Sequence, residues 1–191
     1  MRPVSWYTNP LVKLAKSGAR FLLGALLCFA GQALAQTAAP AGKDAGDKES
    51  AAILEIGAAG GWSLNGGGSG FGPDFAVEFT PIEKWLEIEA GVSPLFSRHS
   101  TEWNTDLLFK KPWTLSKKAE VMAGVGPEWV HTRANGTGTN SIAGEAALDF
   151  MFWPFAKRRF GWFIEPAYDY SFARGHERSI GISAGLLISI P

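Results

Sequence analysis

The sequence has one cysteine in 191 residues, so it can form no internal disulfide and no cysteine-based zinc site. It has no excess of either charge. Its 18 basic residues balance 18 acidic ones, which excludes a nucleic-acid partner held by overall charge. Histidine is scarce: His99, His131 and His176 are the whole set, and their spacing matches no metal-ligand motif. No apolar run approaches the roughly 20 residues that a membrane-spanning helix needs. There is no Gly-x-Ser-x-Gly elbow. Gly66-Gly67-Gly68 is followed by no Lys-Ser/Thr pair, so it reads as a connection between strands and not as a phosphate loop. Nothing in the pattern calls for a cofactor.

The chain does contain 23 glycines, 8 tryptophans and 13% aromatic residues overall, with only 19% charged. The first 35 residues differ from the rest. Arg2, Lys13, Lys16 and Arg20 precede a run of about ten apolar residues, 21–30, with no acid among them. Ala33-Leu34-Ala35 follows, with small residues where a signal peptidase reads. The sequence therefore predicts a secretory signal peptide over 1–35, cleaved after Ala35. Its removal takes Cys28 and four basic residues, leaving a cysteine-free chain with a net charge of −4. A chain without thiols suits an oxidising compartment, where it cannot mispair. Residues 36–50 are Ala, Gly, Pro and mixed charges with no aromatic, the composition of a disordered tether on the periplasmic side.

From Ala52 onward the dominant signal is alternation with a period of two, which sends successive side chains to opposite faces of a strand. In the first segment Leu54, Ile56, Ala58, Trp62 and Leu64 share one face, against Glu55, Gly57, Ala59 and Ser63. The split recurs seven more times, as in Phe75, Val77 and Phe79 against Asp74, Ala76 and Glu78. Eight segments of about ten to twelve residues match the length a tilted strand needs to cross a bilayer. An even number of antiparallel strands can close and leave no unpaired edge in lipid. The predicted fold is all-β: an eight-stranded antiparallel up-and-down transmembrane β-barrel over 51–191.

Which row faces inward decides between a membrane barrel and a soluble lipocalin-like ligand carrier. One row is apolar apart from Lys111 and His131 at strand ends. The other is mostly Gly, Ala and Ser with carboxylates: Glu55, Asp74, Glu78, Glu87, Glu89, Asp106, Glu120, Glu128, Glu145, Asp149, Glu165 and Asp169. Small residues suit the interior of an eight-stranded barrel, which side chains alone can fill. These twelve are predicted to face the lumen. Trp62, Trp85, Trp103, Trp113, Trp129, Trp153 and Trp162 fall near the ends of apolar rows and are predicted to form aromatic girdles at the two interfaces.

Signal peptide, eight alternating segments and two aromatic belts together resemble the small bacterial outer-membrane barrels of the OmpA/OmpX type, over roughly residues 52–190. The resemblance implies the outer membrane of a Gram-negative bacterium, with both termini in the periplasm. It also implies that loops 65–70, 97–102, 132–140 and 173–178 face outside. The implied partners are outer-membrane lipid and the barrel-assembly machinery. Such barrels commonly end in an aromatic residue, whereas this chain ends Ser189-Ile190-Pro191. Pro73, Pro94, Pro127 and Pro166 fall within strands, where each removes a ladder donor, so bulges or early ladder ends are expected there.

The function predicted on these grounds is a non-enzymatic barrel with an acidic, side-chain-filled lumen and a structural or surface-interaction role. Twelve carboxylates facing Lys110 alone among strand bases would repel one another. Relief must come from protonation, water, a divalent cation in the lumen, or Arg98, Arg133, Arg174 and Arg178 folding in. The alternative is therefore a narrow cation-selective channel or cation-binding barrel. A lipid A-modifying enzyme is a further class, since His131 lies at the rim. It would need a serine or carboxylate beside that ring, and the neighbours Thr132 and Arg133 supply neither.

Overall fold

The computed structural model describes residues 52–66, 68–155 and 157–190; the signal segment and tether read from the sequence lie outside these residues. Eight strands follow in chain order: β1 (Ala52–Ser63), β2 (Ser69–Ile82), β3 (Leu86–Phe96), β4 (Ser100–Ser116), β5 (Ala119–Ala134), β6 (Thr137–Phe152), β7 (Phe160–Ser171) and β8 (Arg178–Ile190). Each pairs antiparallel with the next, and β1 pairs with β8 to close the barrel. Closure removes every sheet edge. The β1–β2, β3–β4, β5–β6 and β7–β8 connections gather at one end, here the loop end. The other three connections and both ends of the barrel segment lie at the turn end.

The alternation read from the sequence becomes an inside and an outside. Ile56, Phe75, Leu107, Val125, Leu148, Ile164 and Leu186 are exposed, while Glu55, Asp74, Glu78, Glu89 and Glu165 on the opposite row are buried. A one-layered barrel buries only what points to its axis, so the outer surface is the apolar one. An inward apolar pocket of the lipocalin kind is therefore not what this barrel builds.

Two local expectations change. The span 132–140 forms no loop. Ala134 pairs with Thr137, and a two-residue turn at Asn135-Gly136 joins β5 to β6. Both turn residues have positive φ, 50° and 79°. This is the mirror-image hairpin turn whose twist matches the strands and which Asn-Gly adopts most readily.

Pro73, Pro94, Pro127 and Pro166 sit at gaps in the ladder and not at bulges. Pro73 and Pro94 face each other in β2 and β3, where pairing stops after Phe71–Phe96 and resumes at Phe75–Val92 in the same register. Pro127 and Pro166 sit in equal gaps, of β4–β5 between Asp106–Glu128 and Phe109–Val125 and of β6–β7 between Ala147–Ala167 and Phe150–Ile164. Each still pairs on its other side. The register shifts lie elsewhere, at Thr114/Ser116 and at Phe79/Ile82, the second of which encloses a further β2 proline, Pro81.

Two of the gaps have a glycine just before the proline. A Cβ on Gly72 would stand 1.8 Å from the Pro94 carbonyl oxygen, and one on Gly126 would stand 1.9 Å from that of Leu107. The neighbouring backbone leans over the bare Cα, which keeps the strands together where ladder bonds are missing. Backbone cannot retreat as a side-chain tip can, so Gly126→Ala should cost about 1–3 kcal/mol through overpacking. Unfolding midpoints of the refolded barrel in detergent should fall accordingly, whereas the same change at the open turn residue Gly68 should leave them in place.

Candidate functional site

The interior has three storeys. At the turn end Met122, Met151, Trp153, Phe163 and Leu187 form a buried apolar cluster, with Ile53 packed against it. These residues sit on the inward row at the starts of β1, β5 and β7 and the ends of β6 and β8. They plug that end of the barrel. Trp153 corrects the sequence reading: it is 2% exposed and belongs to the plug, not to a girdle. It lies just past the end of β6, where it continues the inward row of Asp149 and Met151, and its backbone N–H donates to the Lys118 carbonyl at 2.8 Å. Trp62, Trp85, Trp103, Trp113 and Trp162 are exposed. Trp129 is half-buried and stacks on His131, while Phe152 stacks on Trp162.

Above the plug lies an ionic cluster. Lys110 of β4 is buried and donates to Glu89 of β3, to Glu165 of β7, and to Asp149 Oδ2 of β6 at 3.5 Å. Gly124 makes room for its stem, since a Cβ there would stand 2.6 Å from Lys110 Cγ. One ammonium thus spans the barrel between four strands. Glu55 and Glu78 are buried at the same level, and Glu78 stands directly opposite Glu89 in the β2–β3 ladder. Glu87, also buried, is opposite Lys110 itself.

The third storey is a polar vestibule of about 520 Å³ that opens at the loop end. Its base reaches Glu89 and Glu165, its wall carries Asp74, Asp106, Glu128, Glu145 and Asp169, and its mouth includes Asn65, Ser97, Glu177 and Arg178. Asp106 faces Glu128, and Glu145 faces Asp169, across their ladders. Directly opposed carboxylates repel, so these pairs are a local cost of the arrangement. Hydroxyls offset part of it: Ser93 donates to Asp74, Ser179 to Asp169 at 3.2 Å, and Thr132 to Glu102 at 3.3 Å. Glu102 was missed in the sequence because the alternation was started one residue late, at Trp103. Extending the row back by one step would have found it.

The twelve carboxylates read from the sequence therefore separate into sets. Glu55, Glu78, Glu87, Glu89, Asp149 and Glu165 gather near Lys110. Asp74, Asp106, Glu128, Glu145 and Asp169 line the vestibule. Glu120 stands apart at the turn end, where Arg158 Nη1 pairs with it at 3.0 Å. Among the described residues the arginine that relieves a strand carboxylate is thus Arg158, not Arg98, Arg133, Arg174 or Arg178. At the rim, His131 Nδ1 lies 2.8 Å from Asn140 Oδ1, and His176 Nδ1 lies 3.1 Å from the Tyr170 hydroxyl. No serine or carboxylate bonds either ring among the described residues.

Removing Lys110 leaves three buried carboxylates without their cation. Lys110→Met should destabilise the barrel by about 3–5 kcal/mol, the cost of orphaning buried charge. Adding Glu89→Gln and Glu165→Gln should return much of that loss. Denaturant unfolding of the single and triple variants, followed by intrinsic tryptophan fluorescence, checks both directions.

No family model and no curated protein matches the chain. Solved structures do. Neisserial surface protein A matches with a TM-score of 0.58 at 13% identity, over 74% of this chain and 98% of that one. Ail, the attachment invasion locus protein of Yersinia pestis, matches with a TM-score of 0.52 at 10% identity, over 74% and 99%. The same protein in complex with the heparin analogue sucrose octasulfate matches at 0.51 and 10% identity, with the same coverage. With its closed ring of eight antiparallel strands and apolar outer surface, the chain has the fold of the small eight-stranded outer-membrane β-barrels of the OmpA/OmpX kind.

Proposed function

We propose that the protein is a non-conducting, non-enzymatic barrel of the Gram-negative outer membrane whose loop end is a surface-interaction face. In this reading it is exported by a signal peptide cleaved after Ala35, inserted by the barrel-assembly machinery, and held by lipid against its apolar belt. One observation carries the proposal: the turn end is sealed while the loop end is open. The apolar plug and the Lys110 cluster stand in series across the axis, so an ion entering the vestibule meets first the Lys110 ionic layer and then hydrocarbon side chains that stop it from passing. This speaks against the cation-channel alternative. The Asn140 partner of His131 speaks against a rim-based hydrolase, which needs a base or nucleophile there.

In planar bilayers the purified barrel should add no steady conductance steps. Reproducible cation-selective steps would overturn the sealed reading.

The chemistry of the open end favours anionic partners. Arg98, Arg133, Arg174 and Arg178 are all exposed there, and every lysine of the described residues lies on the opposite half. Guanidinium groups bind sulfate and phosphate bidentately, which an ammonium cannot do. The match to a protein solved with a heparin analogue supports a polyanionic sugar as the class of partner. Replacing Arg98, Arg133 and Arg174 by serine should shift elution from a heparin column to lower salt, with the unfolding midpoint unchanged. Unchanged elution would remove this reading of the rim.

A further inference from the structure

The middle storey contains more acceptors than its donors can serve. Lys110 has three N–H groups, and they go to Glu89, Glu165 and one oxygen of Asp149. Asp149 Oδ1 and Glu55 Oε1 are left buried with no hydrogen-bond partner. Glu55, Glu89 and Asp149 each offer an oxygen, and these oxygens all lie within 4.8 Å of one another. Glu78 stands outside that trio and adds an independent observation. It is 1% exposed, it faces Glu89 directly across the ladder, and neither of its carboxylate oxygens has a partner.

Four orphaned oxygens beside a spent ammonium are costly in an interior of low dielectric, where an unpaired charge is penalised by several kcal/mol. A group that brings positive charge but needs no acceptor would satisfy those of Glu55 and Asp149 at once and offset the charge of Glu78 beside them. Donor chemistry selects its class. Every available ligand atom is a carboxylate oxygen and there is no nitrogen or sulfur, which suits the hard divalent cations of the calcium, magnesium and manganese group and not zinc or copper.

We propose that a divalent cation of this class binds between Glu55, Glu89 and Asp149, with the unpartnered carboxylate of Glu78 adding negative charge beside it. Access comes from above. The vestibule base reaches Glu89, and a second acidic trio on its wall, Glu128, Glu145 and Asp169, draws cations inward along the axis. The plug stops the ion from passing, so the path is a blind one. Structurally the ion completes what Lys110 begins. Lys110 ties β3, β4, β6 and β7, whereas the ion would tie β1, a strand that the ammonium does not reach, to β3 and β6. The proposal does not rest on the surface role argued above, and a barrel with no external partner would bind the ion equally.

Manganese(II) serves as the probe, titrated into the refolded barrel in zwitterionic detergent and followed by the loss of the free-ion paramagnetic resonance signal. One equivalent should bind, calcium should compete for it, and calcium should raise the unfolding midpoint by several degrees relative to chelator. Glu55→Gln with Glu78→Gln should abolish both effects. The same pair should raise the midpoint measured in chelator, because it removes uncompensated buried charge. Absence of stoichiometric binding to the unaltered barrel overturns the proposal whether or not the variants fold. So does binding that survives Glu55→Gln with Glu78→Gln but is lost in Glu128→Gln with Asp169→Asn, since the ion would then occupy the wall.

Discussion

The ammonium of Lys110 is the interaction on which the rest of the interior depends. It is fully buried, and it donates to carboxylates on three other strands. Eight strands leave a lumen that side chains must fill. If those side chains are acids, the fold needs a cation near the axis or it must keep them neutral. Lys110 can reach so far because it is long and because Gly124 across the ladder leaves its stem unobstructed. The residues around it are thus selected as a set: a lysine in β4, a glycine in β5, and acids in β3, β6 and β7.

That central layer divides the barrel into two different solvents. Toward the turn end the inward row turns apolar, and Met122, Met151, Trp153, Phe163 and Leu187 close the cylinder by ordinary hydrophobic packing. Toward the loop end the inward row is Gly, Ala, Ser and acid, so the wall is thin and polar and a vestibule remains. The outer surface ignores this division. It stays apolar throughout the span because alternation along each strand sets the outward row independently of the inward one. A single polypeptide layer can therefore present hydrocarbon outside while changing from core-like to water-like inside.

The strand prolines show how such a layer tolerates defects. At Pro73, Pro94, Pro127 and Pro166 the missing N–H groups fall in register-preserving gaps, each with an intact ladder on the other side of the strand. Glycines at positions 72 and 126 let the neighbouring carbonyls close in, so the sheet remains continuous where its hydrogen bonding is not. The sequence predicts bulges or early ladder ends at these four residues. The ladder is interrupted at each but its register is kept, because a proline's lost donor is local, whereas a bulge needs an extra residue, and none is inserted at these four.

The period-two pattern determined that the chain is a barrel of eight strands, which row is apolar, and which residues are acidic on the other row. Those properties follow from strand geometry alone, where each residue's face is fixed by its neighbours. The tertiary structure decided what that pattern could not carry. It placed Trp153 in the plug, on the inward row of Asp149 and Met151, because burial there depends on the side chains that close the turn end around it. It paired Glu120 with Arg158, because a turn residue's reach depends on how the turn folds back. It sorted the acids into an ion-paired centre and an open wall, because height along the axis comes from the stagger between strands. That stagger arises only when β1 meets β8 and the cylinder closes.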